Sequence, residues 1–184
     1  SRTTVRVALH RLVDDGLAEV RGKSVTVSRL TEEDAASINV IRRPMELLTI
    51  NELRGRVTPM LIRKLRNSIE EQQNCKMADA DDYMYYIQQD YVFHTALAEA
   101  TGNRFLCDVV ERLNTHSTRC LILSTTLLSS YKPAVVEHTA IVDALDNLPP
   151  ASSMRPTAIV AHTTKGKGVD FMEKVIGWHA GSLN

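Results

Sequence analysis

The chain has 184 residues, of which 43% are hydrophobic and 24% charged, and its 22 basic and 22 acidic side chains give a formal net charge of zero. This length leaves room for one ordinary domain plus small pieces, and the charge balance excludes a whole-molecule field that attracts nucleic acid or membrane. No apolar run approaches the roughly 18 residues of a membrane span, and three cysteines without a C-x-x-C pair indicate a reduced, cytoplasmic setting.

The first 29 residues are locally basic, with six Arg and Lys against three Asp and Glu. Residues 1–15 have apolar side chains at helical spacing and end at Gly16, and residues 17–20 and 24–27 alternate as two short strands. Spacing alone leaves two interpretations open, a capped helix with a solvated hairpin or a recognition helix followed by a wing. In the second, DNA is contacted from the first helical turns and the hairpin tip by Ser1, Arg2, Thr3, Thr4, Arg6, Arg21 and Lys23.

The same segment contains S-R-T-T-V-R-V-A-L-H-R-L at residues 1–12 and D-G-L at residues 15–17. It resembles the winged-helix signature of GntR-family transcription regulators. Thr4 stands where that family usually has proline, and Val7 where it usually has glutamate. The family has two further helices before this one, so the resemblance implies a chain truncated at its front that binds operator DNA when those helices are restored.

Helical periodicity continues through most of the remaining chain. We predict helices over about residues 31–53, 58–73, 83–100, 104–128 and 134–147. Pro44 is expected to kink or interrupt the first of them, and Pro133 to start the last. The predicted fold is mainly α, with a partial winged helix over 1–29, an antiparallel helical bundle over 31–147 and an irregular, α/β-like tail over 148–184.

Asp90 and His94 lie four residues apart in the predicted helix over 83–100. This spacing puts a carboxylate and an imidazole on one helix face, with apolar residues around them. Pointing inward, the pair provides half of a metal site. The alternative is that Asp90 only holds His94 in orientation.

The helical series resembles the FCD-type ligand-binding domain found behind the winged helix in one large GntR subgroup. The matching motifs are Asp90-x-x-Phe93-His94, Thr101-Gly102-Asn103 and Glu137-His138. With the N-terminal motif, the likeness covers about residues 1–145. In that subgroup these positions bind a divalent metal, so the resemblance implies Asp90, His94 and His138 as ligands. Such a set suits Zn²⁺, Ni²⁺ or Mn²⁺ and leaves open positions for a carboxylate or hydroxy-acid effector. The alternative for His138 is a partly buried helix histidine.

A fourth metal ligand and an effector-binding residue also follow from this resemblance. The subgroup has a fourth ligand that would fall near Val160, where the nearest histidine is His162, in a segment patterned as a buried strand. His116 is either a substitute for it or a plain residue of the polar helix face. Arg42 and Glu46 match an R-x-x-x-E pair of the family, and we assign Arg42 to effector binding. A surface ion pair explains Glu46 equally well.

The tail resembles a different family. Residues 156–169, P-T-A-I-V-A-H-T-T-K-G-K-G-V, with Gly177-Trp178-His179, are similar to the end of the diphosphate-binding domain of transketolases, over roughly residues 141–184. A chimera joined near residues 141–145 or a coincidental likeness explains this. We expect no thiamine diphosphate binding and no enzyme activity, because the G-D-G motif and second domain of that site are not in this sequence.

The sequence therefore predicts a cytoplasmic, homodimeric transcription regulator, a repressor that binds operator DNA and a small organic acid at a metal site. Two alternatives stay open. One is a metal-dependent small-molecule binding module without DNA binding. The other is a non-functional fragment or chimera that includes a piece of a thiamine-diphosphate transketolase.

Overall fold

The computed structural model describes residues 1–123 and 127–149. Its elements are α1 (Arg2–Asp14), β1 (Ala18–Arg21), β2 (Ser24–Val27), α2 (Glu32–Glu52), α3 (Pro59–Asn74), α4 (Ala80–Ala100), α5 (Arg104–Leu123) and α6 (Leu127–Asp146). The predicted mainly α fold with one small hairpin is confirmed. The tail predicted over 148–184, with His162, lies outside the described residues except for its first two. No helix in the described ranges is long and apolar enough to span a membrane.

The chain divides into two compact units, Ser1–Thr31 and a second that begins at Glu32. In the first, α1 ends at Asp14, and Gly16 follows with a φ of +71°, the left-handed conformation that favours glycine. β1 and β2 then pair in antiparallel register, with Val20 opposite Val25. No residue of α1 is buried. Ser1 occupies the N-cap position without a side-chain cap bond, contrary to the usual role of serine there.

In the second unit, two prolines lie inside helices. α2 continues through Pro44, so the predicted interruption is wrong. Because proline has no N–H, the carbonyl of Val40, four residues earlier, lacks its helical donor. Val40 is exposed, so water can donate to that carbonyl instead. Pro133 is likewise inside α6, which begins at Leu127, so the prediction that Pro133 starts this helix is also wrong.

Side-chain caps set the starts of α3 and α4. The Thr58 hydroxyl accepts from the Leu61 amide at 3.1 Å, as expected for a threonine before an N1 proline. Asp79 accepts from the amides of Asp81 and Asp82, so α4 starts at Ala80, three residues earlier than its apolar pattern indicates.

The main core of the second unit lies among α3, α4 and α6. Leu65, Phe93 and Val142 are fully buried there. A smaller cluster of Ala98, Leu106 and Val110 joins α4 to α5, and the half-buried Met45 of α2 packs against it. Several apolar residues within the predicted helices are exposed, namely Ile41, Leu48, Met60, Val109 and Leu123.

The contrast between Leu65 and Met60 on α3 gives a direct test of this packing. Leu65 has no exposed surface, whereas Met60 is 71% exposed. Leu65→Ala should lower the free energy of unfolding by about 2–5 kcal/mol through lost burial and a cavity. Met60→Ala, the matched control, should change it by less than about 0.5 kcal/mol. Equal losses in denaturant unfolding would contradict the described packing of α3.

Candidate metal centre

Three ligand-type side chains meet in the second unit. Asp90 and His94 come from one face of α4, and His138 comes from α6; one ligand atom of each lies within 4.8 Å of the others. His138 Nε2 lies 3.6 Å from Asp90 Oδ1, and the two imidazole rings are nearly perpendicular with centroids 5.2 Å apart. The structure thus brings together the three residues that the resemblance implied as ligands.

Phe93 contacts both imidazoles. Its fully buried ring stacks on His138 with centroids 4.2 Å apart and meets His94 edge-on at 5.4 Å. Because Phe93 precedes His94 in the chain, the same turn of α4 positions the Phe93 ring and the His94 ring. Packing on a buried aromatic leaves His138 little freedom to rotate.

A buried hydrogen-bond chain fixes the tautomer of His138. The Ser68 hydroxyl donates to the Gln89 carbonyl at 2.7 Å and therefore accepts from Gln72 Nε2 at 3.3 Å. That assignment turns Gln72 Oε1 toward His138 Nδ1, 3.0 Å away. Because an amide oxygen only accepts, Nδ1 carries the proton. His138 Nε2 is then left with its lone pair directed at Asp90.

Both histidines are held neutral. Burial lowers the pKa of His94 to about 3, and the Arg42 cation adds to the effect. Burial also lowers the pKa of His138, although Asp90 opposes the shift. A neutral Nε2 and a carboxylate oxygen 3.6 Å apart are two acceptors with no donor between them. This donor set fits a divalent cation, which binds neutral imidazole and carboxylate together.

Arg42 reaches this cluster from α2. Its Nη2 lies 3.1 Å from His94 Nε2, and its Nε donates to Glu46 Oε1 at 2.7 Å. Burial lowers the pKa of Arg42, but Glu46 and Asp90 outweigh it and the net pKa is raised. Since a guanidinium only donates, His94 Nε2 accepts from Arg42. His94 can therefore offer this lone pair to a metal only where Arg42 turns away.

The structure describes only one of the two predicted alternatives for the fourth ligand. His116 lies on α5 and is not in the group of ligand atoms found among the described residues. His162 and Val160 lie outside the described residues. Among the residues that the structure describes, the cluster consists of one carboxylate and two imidazoles.

Gln72 was not predicted as a site residue. It is fully buried and belongs to the same stripe of α3 as Leu65 and Ile69, at the positions i+7 and i+3 from them. The sequence signal for Gln72 is a glutamine on an otherwise apolar helix stripe, because a buried amide needs a hydrogen-bond partner. Its partner, His138, is 66 residues away in the chain.

The predicted DNA-contacting residues lie on the first unit. Ser1, Arg2, Thr3, Thr4 and Arg6 are exposed at the start of α1. The hairpin tip carries the other two, the exposed Lys23 and Arg21, which forms a 2.7 Å ion pair with Glu19. The structure thus leaves all seven side chains accessible, in two groups on two elements.

Comparison with known families then identifies the second unit. The FCD domain model matches residues 37–152. The chain belongs to the FCD domain family. The predicted resemblance to GntR-type regulators with an FCD domain is confirmed.

Relatives with curated descriptions agree with this assignment. The chain is 26% identical over 144 residues to the uncharacterised HTH-type transcriptional regulator YdhC of Bacillus subtilis (strain 168), and 28% identical over 148 residues to an uncharacterised HTH-type transcriptional regulator in an unstable DNA locus of Streptomyces ambofaciens. These alignments cover 78% and 79% of this FCD chain, and 64% and 60% of the two relatives.

Solved structures show the same fold. E. coli McbR/YncC superposes with a TM-score of 0.64 at 21% identity, over 77% of this chain and 71% of that one. A transcriptional regulator GntR from Rhodococcus sp. RHA1 superposes with a TM-score of 0.66 at 20% identity, over 79% and 69%. At these identities the likeness is one of fold alone.

Gln72 gives a test of the metal centre that leaves all three ligands in place. Gln72→Leu removes the acceptor for His138 Nδ1–H and should lower Zn²⁺ affinity by about 10–100-fold, as loss of such supporting partners does. Gln73→Leu, at the exposed neighbouring position of α3, is the matched control and should leave affinity unchanged. Competition with a chromogenic chelator measures both. Equal affinities would show that the hydrogen-bond chain does not serve a metal.

Proposed function

We propose that this FCD chain is part of a DNA-binding transcription regulator of the GntR type whose operator affinity is set by a small carboxylate held at a metal centre. The observation that carries the metal proposal is the pair of opposed acceptors, His138 Nε2 and Asp90 Oδ1. Family membership and the HTH-type relatives support regulation. In this proposal the regulator is a homodimeric repressor.

The residues of the proposed centre have three different roles. Asp90, His94 and His138 hold a divalent cation, Zn²⁺, Ni²⁺ or Mn²⁺, which supplies open coordination positions for a carboxylate. Arg42 lies beside them as a fixed positive charge, and its fork of donors matches a carboxylate. The fully buried Phe93 covers one side of the site, and the lower polarity there strengthens the attraction between these charges.

DNA binding is assigned to the first unit. Arg2, Thr3, Thr4 and Arg6 would enter the major groove from the start of α1, with Ser1 beside them and the hairpin tip on the backbone. Effector binding at the second unit would act as a population shift between a form that binds DNA and a form that does not. The coupling free energy then sets how far operator affinity changes.

The metal proposal predicts that replacing His138 reduces the amount of bound metal. His138→Ala should reduce bound Zn²⁺ and remove most of the rise in melting temperature that Zn²⁺ gives the intact protein, because only the folded state binds the ion. His116→Ala, a histidine of α5 outside the cluster, is the control and should keep both. Inductively coupled plasma mass spectrometry and thermal unfolding supply the two readouts. Unchanged metal content in His138→Ala would contradict the ligand set.

The regulator proposal predicts salt-dependent DNA binding. With the two helices that precede the recognition helix in the resembled family added to the chain, operator affinity should fall steeply as salt rises, through counterion release. Arg6→Ala should weaken binding and, if Arg6 contacts phosphate, lower the log–log salt slope by about one. Arg63→Ala, at an exposed position of α3, is the control. The absence of any gel shift at low salt would favour a metal-dependent binding module without DNA binding.

A further inference from the structure

Arg42 competes with a cation for one of the three candidate ligands. Its Nη2 lies 3.1 Å from His94 Nε2, and because a guanidinium has only donors, that ring nitrogen accepts. A neutral imidazole has one lone pair, so the proton of His94 is then on Nδ1. A bond from a cation to Nε2 needs the same lone pair. The Arg42 contact and such a bond therefore exclude each other.

Glu46 holds the Arg42 guanidinium at this place. Its Oε1 accepts from Arg42 Nε at 2.7 Å, one helical turn along α2, and the Arg42 and Glu46 side chains are 24% and 45% exposed. The same oxygen lies 3.8 Å from His94 Nδ1. The Glu46 carboxylate is thus at the edge of the cluster, with its charge balanced by the guanidinium that it bonds. Arg42 therefore engages two groups that a cation could use, the His94 lone pair and the Glu46 carboxylate.

Divalent cations differ in which of these groups they need. Zn²⁺ and Ni²⁺ bond neutral imidazole well, so His94 and His138 together with the Asp90 carboxylate suit them. Mg²⁺ and Ca²⁺ are hard cations that prefer oxygen ligands and are held through carboxylates, carbonyls and water. Such an ion gains little from two imidazoles, and Glu46 is engaged by Arg42. An ion that bonds imidazole strongly recovers the cost of displacing Arg42 from His94, whereas a hard ion does not.

We propose that Arg42 determines the cation selectivity of this centre, so that the centre admits ions that bond imidazole, such as Zn²⁺, and excludes Mg²⁺ and Ca²⁺. The inference rests on the proposed function, in which Asp90, His94 and His138 hold a divalent cation. It gives Arg42 a second role, separate from its contact with a carboxylate ligand. Two contacts of the guanidinium carry this role, one to a ligand nitrogen and one to a carboxylate.

Removal of Arg42 should therefore change the affinities for the two classes of cation through different groups. Zn²⁺ gains because the His94 lone pair is released and a positive charge beside the site is lost. Mg²⁺ gains because Glu46 becomes a second available carboxylate, whose Oε1 lies 3.8 Å from His94 Nδ1. Substitution of Glu46 in the same chain removes the second effect and leaves the first. The two effects can thus be measured separately.

The test measures Zn²⁺ and Mg²⁺ binding to the full chain and to Arg42→Met, which keeps an unbranched side chain that can pack in the same place. Zn²⁺ affinity, from competition with a chromogenic chelator, should rise about tenfold, the effect of releasing one hydrogen bond from a charged donor. Millimolar Mg²⁺ should raise the melting temperature of Arg42→Met but not that of the wild-type chain. Arg43→Met, at the exposed neighbouring position of α2, is the control and should match wild type in both. Unchanged or lower Zn²⁺ affinity in Arg42→Met would overturn the inference.

Two further variants locate the effect and guard against misfolding. Arg42→Met combined with Glu46→Gln should keep the gain in Zn²⁺ affinity and lose the response to Mg²⁺. Arg42→Lys keeps the charge but lacks the fork that bonds Glu46 and His94 at once, so its Zn²⁺ affinity should lie between those of wild type and Arg42→Met. A Mg²⁺ response that persists in the combined variant would overturn the role of Arg42 in excluding hard ions. A Zn²⁺ affinity of Arg42→Lys at or below that of wild type would count against competition at His94.

Zn²⁺ binding by the wild-type chain separates this inference from the proposed function. If wild type binds no Zn²⁺, the proposed function and the inference both fail. If wild type binds Zn²⁺ through His138 and Arg42→Met binds it equally well, the proposed metal centre stands and the inference alone fails. A Zn²⁺ affinity that rises in Arg42→Met, with a Mg²⁺ response that needs Glu46, supports both.

Discussion

The proposed metal centre depends on one buried chain of hydrogen bonds, from His138 through Gln72 and Ser68 to the backbone carbonyl of Gln89. It links α6, α3 and α4, and each member has only one assignment of donor and acceptor that satisfies the next. A buried polar network stabilises a fold when every member is paired and costs stability when one is not. The direction of the His138 lone pair is therefore fixed by a backbone carbonyl three hydrogen bonds away.

Stability and chemistry occupy different parts of the second unit. The apolar core around Leu65 and Val142 is dry and well packed. Beside this core lie two opposed acceptors, His138 Nε2 and Asp90 Oδ1, and the half-buried Arg42 guanidinium. The opposed acceptors lower the stability of the ligand-free fold. Such an arrangement is characteristic of a binding site that recovers the cost when its ligand is present.

Sequence periodicity predicted the helices of the second unit because apolar residues at helical spacing must face a core. Periodicity does not show that the apolar Met60 is exposed, because it cannot tell which apolar residues find a partner. The start of the last helix was wrong for another reason, since Pro133, a usual first-turn residue, lies inside α6. The Asp90–His94 pair followed from local spacing alone. Gln72 could not be assigned, since its role exists only through His138, 66 residues away. The tail lies outside the described residues, and its likeness to transketolase stays a prediction.

The position of Arg42 couples the binding of the cation to the binding of the carboxylate in the proposed function. In the structure its guanidinium is shared between Glu46 and the lone pair of His94. His94 cannot give that lone pair to Arg42 and to a cation at once, and Arg42 cannot hold both His94 and an incoming carboxylate with the same donor. Within the proposed function, whichever ligand arrives first therefore removes a contact that opposes the second. By linkage, cation and acid then strengthen each other's binding by the same factor.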